Sequence, residues 1–194
     1  AGSAETPPSV SSMKPGQAIA SPLRLITLPK INPNRFEFVE DEGKTVLQVS
    51  SSASAATIAI PLTAPAGASR RLDWRWKVGN VVAGADIEKK SGDDFAARLY
   101  VFFDAPLSSM SFVERTKIRL ARMFFGAGVP TAVLCYAWDN KHPIGYTRAS
   151  PYTNRVKVIV MQSGAANAGK WMSESRDVAA DYKAAFGFDA PAIT

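Results

Sequence analysis

Apolar and charged side chains alternate along two stretches of the chain. Between residues 72 and 78, apolar residues alternate with Asp73, Arg75 and Lys77. Between residues 95 and 104, every odd-numbered position carries an apolar side chain. A period of two is that of a strand with one buried face. The pattern therefore predicts two amphipathic strands, each with polar or charged side chains on its other face.

Short strands separated by turns are predicted over most of the chain. They are expected at residues 35–40, 45–50, 56–62, 70–78, 95–104, 131–139 and 155–162, with a weaker strand at 170–175. The segment at 41–44, Asp-Glu-Gly-Lys, has the composition of a hairpin turn. Strands that follow one another without intervening helices predict an all-β fold, an antiparallel and jelly-roll-like β-sandwich.

Two helices interrupt this pattern. Residues 111–125 carry an apolar stripe beside a basic one. We expect the apolar stripe to be buried against one end of the sandwich; its members are Phe112, Val113, Leu120, Met123 and Phe124. The alternative is contact with an anionic membrane surface or a partner, through Phe112, Arg115, Arg119 and Arg122. The second helix is short, at residues 178–186, with Asp177 as its N-cap and Gly187 after its end.

Length, charge and cysteine content narrow the class of protein. A chain of 194 residues can bury a core without disulfides, and the lone Cys135 is expected to be buried. Lys plus Arg number 23 against 17 acidic residues, a formal charge of +6 that favours anionic partners. Residues 1–22 are rich in Ser, Pro, Ala and Gly, so we expect a flexible tail or linker before a single domain at 23–194.

Catalytic and metal-binding patterns are sparse. The single histidine, His142, lies in a stretch with turn composition, and neither a phosphate-binding loop nor a dinucleotide motif is present. We therefore expect no metal, no cofactor and no catalytic residues. The alternative is a polysaccharide hydrolase or lyase, in which a carboxylate acts with Tyr100 or His142; the candidate carboxylates are Asp93, Asp94 and Asp104.

The polar faces of the strands suggest a ligand-binding surface. If the strands around positions 74, 99 and 158 are neighbours, their basic residues converge on one face, with Arg75, Arg98 and Arg155 side by side. Guanidinium groups there would hold carboxylate, sulfate or phosphate, while aromatic residues near turns would stack on a sugar ring. The candidate residues are Arg75, Lys77, Arg98, Tyr100, Arg155, Lys157, Trp138 and Tyr152. The other interpretation is that each basic group pairs with an acid and only stabilises the sheet, and for the aromatic residues we favour a role as core anchors over stacking.

Five blocks follow one another along the chain: WRWKV at 74–78, GDDFAAR at 92–98, AVLCYAWDN at 132–140, PYTNRV at 151–156 and RDVAADY at 176–182. In this order, and over about residue 23 to the C-terminus, the chain resembles the bacterial family catalogued as domain of unknown function 3047 (DUF3047). The resemblance implies an exported β-sandwich or jelly-roll protein, periplasmic or secreted, with no established activity. It also implies one more strand after the point where this chain stops.

These observations favour an exported, non-catalytic ligand-binding or interaction module. The preferred ligand is an acidic glycan or another anionic polymer; nucleic acid is not expected. An envelope-associated structural protein that docks through the basic helix is a further alternative. Because an unpaired sheet edge recruits strands, we also expect a protein partner, the tail or a further C-terminal segment at the edge that the family's last strand would cover.

Overall fold

The structure, a computed structural model, describes residues 8–62, 71–125 and 130–193. The chain divides into two compact units, Ser3–Thr63 and Ala64–Thr194. The described strands are β1 (Arg24–Thr27), β2 (Arg35–Asp41), β3 (Lys44–Ser50), β4 (Ala56–Ala59), β5 (Arg71–Trp76), β6 (Ala97–Phe103), β7 (Ala132–Asp139), β8 (Thr147–Ser150), β9 (Thr153–Ser163) and β10 (Met172–Asp177). The described α-helices are α1 (Phe112–Phe125) and α2 (Val178–Phe186). The expected division into a tail and one domain stays a prediction.

The unit at Ser3–Thr63 contains two antiparallel strand pairs, β1 with β4 and β2 with β3. The β2–β3 turn places Glu42 and Gly43 at φ 51° and 71°, as a two-residue hairpin turn of type I′ requires. Phe38 is buried on β2, and its carbonyl accepts a hydrogen bond from the N–H of Gly16. This contact ties the segment before β1 to the hairpin.

The unit at Ala64–Thr194 is built around a four-stranded sheet in the order β6-β7-β9-β8. β7 pairs antiparallel with β6 and parallel with β9, so the sheet departs from a purely antiparallel arrangement at one ladder. Every residue of β7 is buried. Because side chains of a strand alternate between the two faces, burial of all eight means that both faces of this sheet are covered.

One face of the four-stranded sheet packs on the antiparallel pair β5–β10 and on α2. Trp74 lies against Tyr136 with ring centroids 5.2 Å apart, and Trp76 against Trp138 at 5.9 Å. The other face carries Cys135, Val158 and Val160 and is covered by the connection between β5 and β6, through side chains that include Ile87 and Phe95. The two packed sheets form the core of the predicted β-sandwich.

The sequence predictions of fold class and of most elements are confirmed. Both helices are present, with Asp177 capping the amides of residues 179 and 180 and Gly187 in the left-handed conformation at φ 80°. Two strands were not predicted, β1 and β8, and both have only four residues. At the end of β6, Phe103 pairs with Ile193, and Asp104 N–H donates to the carbonyl of Ala192. The additional strand expected from the family resemblance, and its partner, stay predictions.

Helix α1 corrects one expectation. Phe112 and Val113, predicted to be buried in the apolar stripe, are 74% and 61% exposed. Ile118, which falls outside that stripe, packs against the core instead. The helix is therefore rotated relative to the predicted stripe at its N-terminal end, where Ser111 and Glu114 form a capping box. The side chains of residues 120–125, Arg122 included, lie outside the described part, and membrane contact stays a prediction.

Candidate functional site

Arg75 and Lys77 lie on the outer side of the β5–β10 pair. The guanidinium carbon of Arg75 is 4.4 Å from the ring centroid of Trp171, and the Lys77 ammonium is 5.2 Å from it. Both distances are those of cation–π contacts. This cluster combines positive charge with an aromatic ring, but the ring already contacts both cations.

Arg98 and Tyr100 lie on the face of the four-stranded sheet that the β5–β6 connection covers. Arg98 donates to the Asp93 carboxylate at 3.1 Å, to the Asp93 carbonyl at 3.1 Å and to Tyr100 Oη at 3.3 Å. Its guanidinium also lies 4.8 Å from the ring of Phe95. Burial raises the pKa of Tyr100 to about 12, so this hydroxyl stays protonated at neutral pH. Arg98 therefore stabilises the sheet.

The expectation that Arg75, Arg98 and Arg155 share one sheet face is wrong. β5 pairs with β10 within the described residues and does not belong to the sheet of β6 and β9. In that sheet, Arg98 lies on the face of Cys135, whereas Arg155 has the parity of Ile159, on the opposite face. The prediction assumed that the polar positions of every strand point to one solvated face of a single sheet. Both faces of this sheet are covered, so polar side chains of different strands can lie on opposite faces.

The two aromatic candidates, Trp138 and Tyr152, differ in their exposure to solvent. Trp138 is 1% exposed, and its indole N–H donates to the carbonyl of Gly164, so it cannot stack on a ligand. Tyr152 is exposed, its hydroxyl donates to the Lys90 carbonyl, and the Lys90 ammonium is 5.4 Å from its ring. Of the two, Tyr152 alone presents a ring to solvent.

Arg155 lines a cleft of about 290 Å³ beside α2. The aromatic side chains that line the cleft are Tyr182, Phe186 and Phe188. Tyr182 and Phe186 are stacked with ring centroids 4.5 Å apart, and Phe188 is 62% exposed. The cleft thus offers aromatic surface and one guanidinium group within a single concave site. Such a combination of apolar lining and few polar groups is typical of small-ligand sites.

The backbone holds Arg155 in place while leaving part of its guanidinium unused. Its Nε donates to the carbonyl of Thr131 at 2.7 Å, and Thr131 is itself fixed by hydrogen bonds to the carbonyls of Phe103 and Ala105. Arg155 Nη2 is buried and has no hydrogen-bond partner among the described residues. Lys157 follows on the same face, and both cations lie 5.6 Å from the Phe186 ring. A buried donor without an acceptor is costly, so an anion in the cleft would be stabilising.

Sequence reasoning missed a second cluster, centred on His142. Its Nδ1 lies 2.8 Å from the carboxylate of Asp139, which is fully buried at the end of β7. The imidazole stacks on Tyr146, and its Nε2 lies 4.0 Å from Glu88. The Asp-x-x-His spacing of residues 139–142 was the local signal, because both side chains belong to one turn. Glu88 lies far away in sequence and could not be added from spacing.

The structure brings one of the carboxylates considered for an enzyme, Asp93, next to Tyr100, because Arg98 Nη1 donates to both. Asp93 is held by Arg98 next to Tyr100, whereas His142 pairs with Asp139. Asp104 lies at the end of β6, where its N–H donates to the carbonyl of Ala192. The hydrolase or lyase interpretation stays a prediction.

The comparisons with known proteins identify the family of the chain. The family model described as "Protein of unknown function (DUF3047)" matches residues 22–194, nearly the whole chain. No curated protein and no solved structure matches at a significant level. Within the described residues, none of the helices has the length and apolar character needed to span a membrane.

Proposed function

The chain belongs to the DUF3047 family, and from that premise we propose that it is a non-catalytic binding module for an acidic glycan, which it holds in the cleft at Arg155. The observation that carries the proposal is the buried Nη2 of Arg155, which has no hydrogen-bond partner in the described part of the chain and belongs to a cleft lined by three aromatic side chains. Its periplasmic or secreted location stays a prediction.

The chemistry of the cleft favours a uronic acid residue. A carboxylate accepts two parallel N–H bonds from a guanidinium group, and the C–H face of a sugar ring packs on an aromatic side chain. The volume of about 290 Å³ is at the lower end of the range for small-molecule sites. The cleft would hold one sugar ring with its carboxylate, and the rest of the polymer would lie outside it.

Positive charge near the cleft adds to the attraction of an anionic glycan but does not select a particular sugar. Lys157 places a second positive charge near Phe186, and the formal charge of the chain is +6. Asp189 also lines the cleft, but its carboxylate is paired with the Lys183 ammonium at 2.9 Å. Binding should therefore weaken as salt rises, because exposed charges are screened over about 8 Å at physiological ionic strength.

The test uses alginate oligosaccharides and isothermal titration calorimetry. Phe188→Ala removes an exposed ring, and Arg155→Lys keeps the charge but loses the fork of donors. We expect each to weaken binding about tenfold, roughly the loss of one aromatic or charge-assisted contact. The matched controls are Phe112→Ala, an exposed phenylalanine on α1, and Arg75→Lys, on the outer side of β5.

Both controls should retain the wild-type affinity. Thermal melting of each variant separates lost binding from lost folding, since Arg155 also donates to Thr131. Wild-type protein that binds no alginate oligosaccharide, or equal losses in Arg75→Lys and Arg155→Lys, would overturn the assignment of the cleft.

A further inference from the structure

Three side chains around the end of β7 converge in space although they are distant in sequence. Asp86 and Glu88 come from the connection between β5 and β6, and His142 comes from the turn after β7. One potential ligand atom from each lies within 4.8 Å of the other two. From this geometry we propose that Asp86, Glu88 and His142 bind one divalent transition-metal ion, with Zn²⁺ the preferred ion. The proposal is independent of the glycan-binding cleft and reverses the expectation drawn from sequence.

The imidazole is oriented as a metal ligand should be. Asp139, wholly buried and outside the ligand set, sits 2.8 Å from His142 Nδ1 and accepts the backbone N–H groups of Lys141 and His142. A carboxylate at Nδ1 favours the neutral tautomer with its proton on that nitrogen, which would leave the lone pair of Nε2, on the side of Glu88, to a metal ion. Metal-bound histidines characteristically donate their other N–H to a carboxylate in this way.

One carboxylate oxygen of Asp139 is not accounted for by the contact with His142. Its second oxygen, Oδ1, is buried without a hydrogen-bond partner among the described residues. A buried carboxylate oxygen without a donor is costly, and a cation bound to the other side of the imidazole would offset part of that cost. This observation concerns a residue that is not itself a ligand, so it supports the site independently of the three ligands.

The backbone brings Asp86 and Glu88 to this place. Asp86 N–H donates to the carbonyl of Gly92, and Glu88 N–H donates to the Asp86 carboxylate. A Cβ atom at Gly92 would lie 2.7 Å from the Asp86 Cβ, so only glycine permits this closure. The loop is thus closed tightly at the position of the first ligand.

Basic side chains neutralise both carboxylates when no metal is bound. The ammonium groups of Lys141 and Lys89 lie 2.9 Å and 3.3 Å from Asp86, and Arg148 Nη1 donates to Glu88 at 2.6 Å. The Tyr146 hydroxyl also donates to Glu88.

A divalent ion would take the place of these ammonium and guanidinium groups. The side chains of Lys141 and Arg148 are each half exposed, so both have room to turn into solvent. One imidazole nitrogen and two carboxylate oxygens form a three-ligand set that leaves a fourth position to water. Imidazole favours Zn²⁺ over Ca²⁺ and Mg²⁺, which prefer oxygen ligands.

The test is titration of the tag-free protein with zinc chloride, followed by calorimetry and by NMR of the imidazole ring. Because the chain has a single histidine, its ring signals need no assignment. We expect one equivalent of Zn²⁺ to bind and to shift the Nε2 resonance. Glu88→Gln should weaken binding at least tenfold, and Asp139→Asn by about 10- to 100-fold through misorientation of the ring.

Glu37→Gln is the matched control. The side chains of Glu37 and Glu88 are 39% and 40% exposed, and each forms an ion pair with an arginine. The control should bind Zn²⁺ as the wild type does, and all variants should melt as single cooperative species. The proposal is overturned if the wild type binds no Zn²⁺, if the His142 ring signals do not move, if Glu88→Gln and Glu37→Gln bind equally, or if Ca²⁺ binds more tightly than Zn²⁺.

Discussion

Arg98 and Arg155 occupy the same four-stranded sheet but differ in what their guanidinium groups contact. Arg98 is enclosed with Asp93 and Tyr100, which satisfy both of its terminal nitrogens. Arg155 is anchored through Nε alone, and its Nη2 has no partner among the described residues. Identical side chains therefore have different roles. The first is structural, and the second keeps a buried donor without a partner among the described residues.

Cys135 gives a prediction at the residue scale. Burial raises the pKa of its thiol from 9.0 to about 12. The folded state thus keeps the proton that the unfolded chain releases above pH 9, so stability is unaffected below that pH and falls as pH rises toward 12. We expect the free energy of unfolding to fall by roughly 1.4 kcal/mol per pH unit from this group.

Urea titrations between pH 8 and pH 11 measure this slope. Cys135→Ala, although less stable overall because it leaves a small cavity, should show a shallower alkaline slope than the wild type. Three buried tyrosines whose pKa values are also raised by burial contribute further alkaline loss in both proteins: Tyr100, Tyr136 and Tyr182. Equal slopes in the two proteins would contradict the burial-raised thiol pKa.

At the scale of elements, the connection between β5 and β6 both covers a face of the central sheet and supplies residues of the proposed metal site. It has no strand of its own among residues 77–96, yet Ile87 and Phe95 cover one face of the central sheet. The same segment supplies Asp86 and Glu88. Its conformation depends on Gly92, where the loop closes on Asp86.

Gly92→Ala tests this dependence. The added methyl would meet the side chain and the backbone nitrogen of Asp86 at 2.7 and 2.8 Å, so we expect a loss of about 1–3 kcal/mol. Gly79→Ala is the control, because a Cβ there meets nothing within 4 Å. The measurement is the urea midpoint of each variant. A Gly92→Ala protein as stable as Gly79→Ala would show that the loop relaxes at no cost.

The elements also show where sequence patterns were sufficient. Most strands of six or more residues follow from alternation, and β7 follows from a continuous apolar run. The cap of α2 follows from Asp177 and Gly187, which are local signals. β1 and β8 have four residues each, too few for alternation to stand out. The assumption of one solvated face failed because the β5–β6 connection, which has no periodic pattern, covers the second face.

At the scale of the whole molecule, the candidate sites arise from contacts between distant segments. The cleft joins Arg155 of β9 to Tyr182 and Phe186 of α2, and the histidine cluster joins Glu88 to His142. Arg155 was identified from strand parity and positive charge, although for a face it does not occupy. Phe188 and Glu88 were missed, because nothing in the local sequence connects them to those partners.

NMR mapping of glycan binding tests the central claim most directly. Adding alginate oligosaccharide to ¹⁵N-labelled protein should shift the Arg155 side-chain Nε–H signal and the amides of residues 182–189, which line or border the cleft. The indole signal of Trp171 reports on the rival surface at Arg75 and Lys77 and should stay unchanged. Shifts confined to the Trp171 indole, with the Arg155 signal unmoved at saturation, would contradict the account.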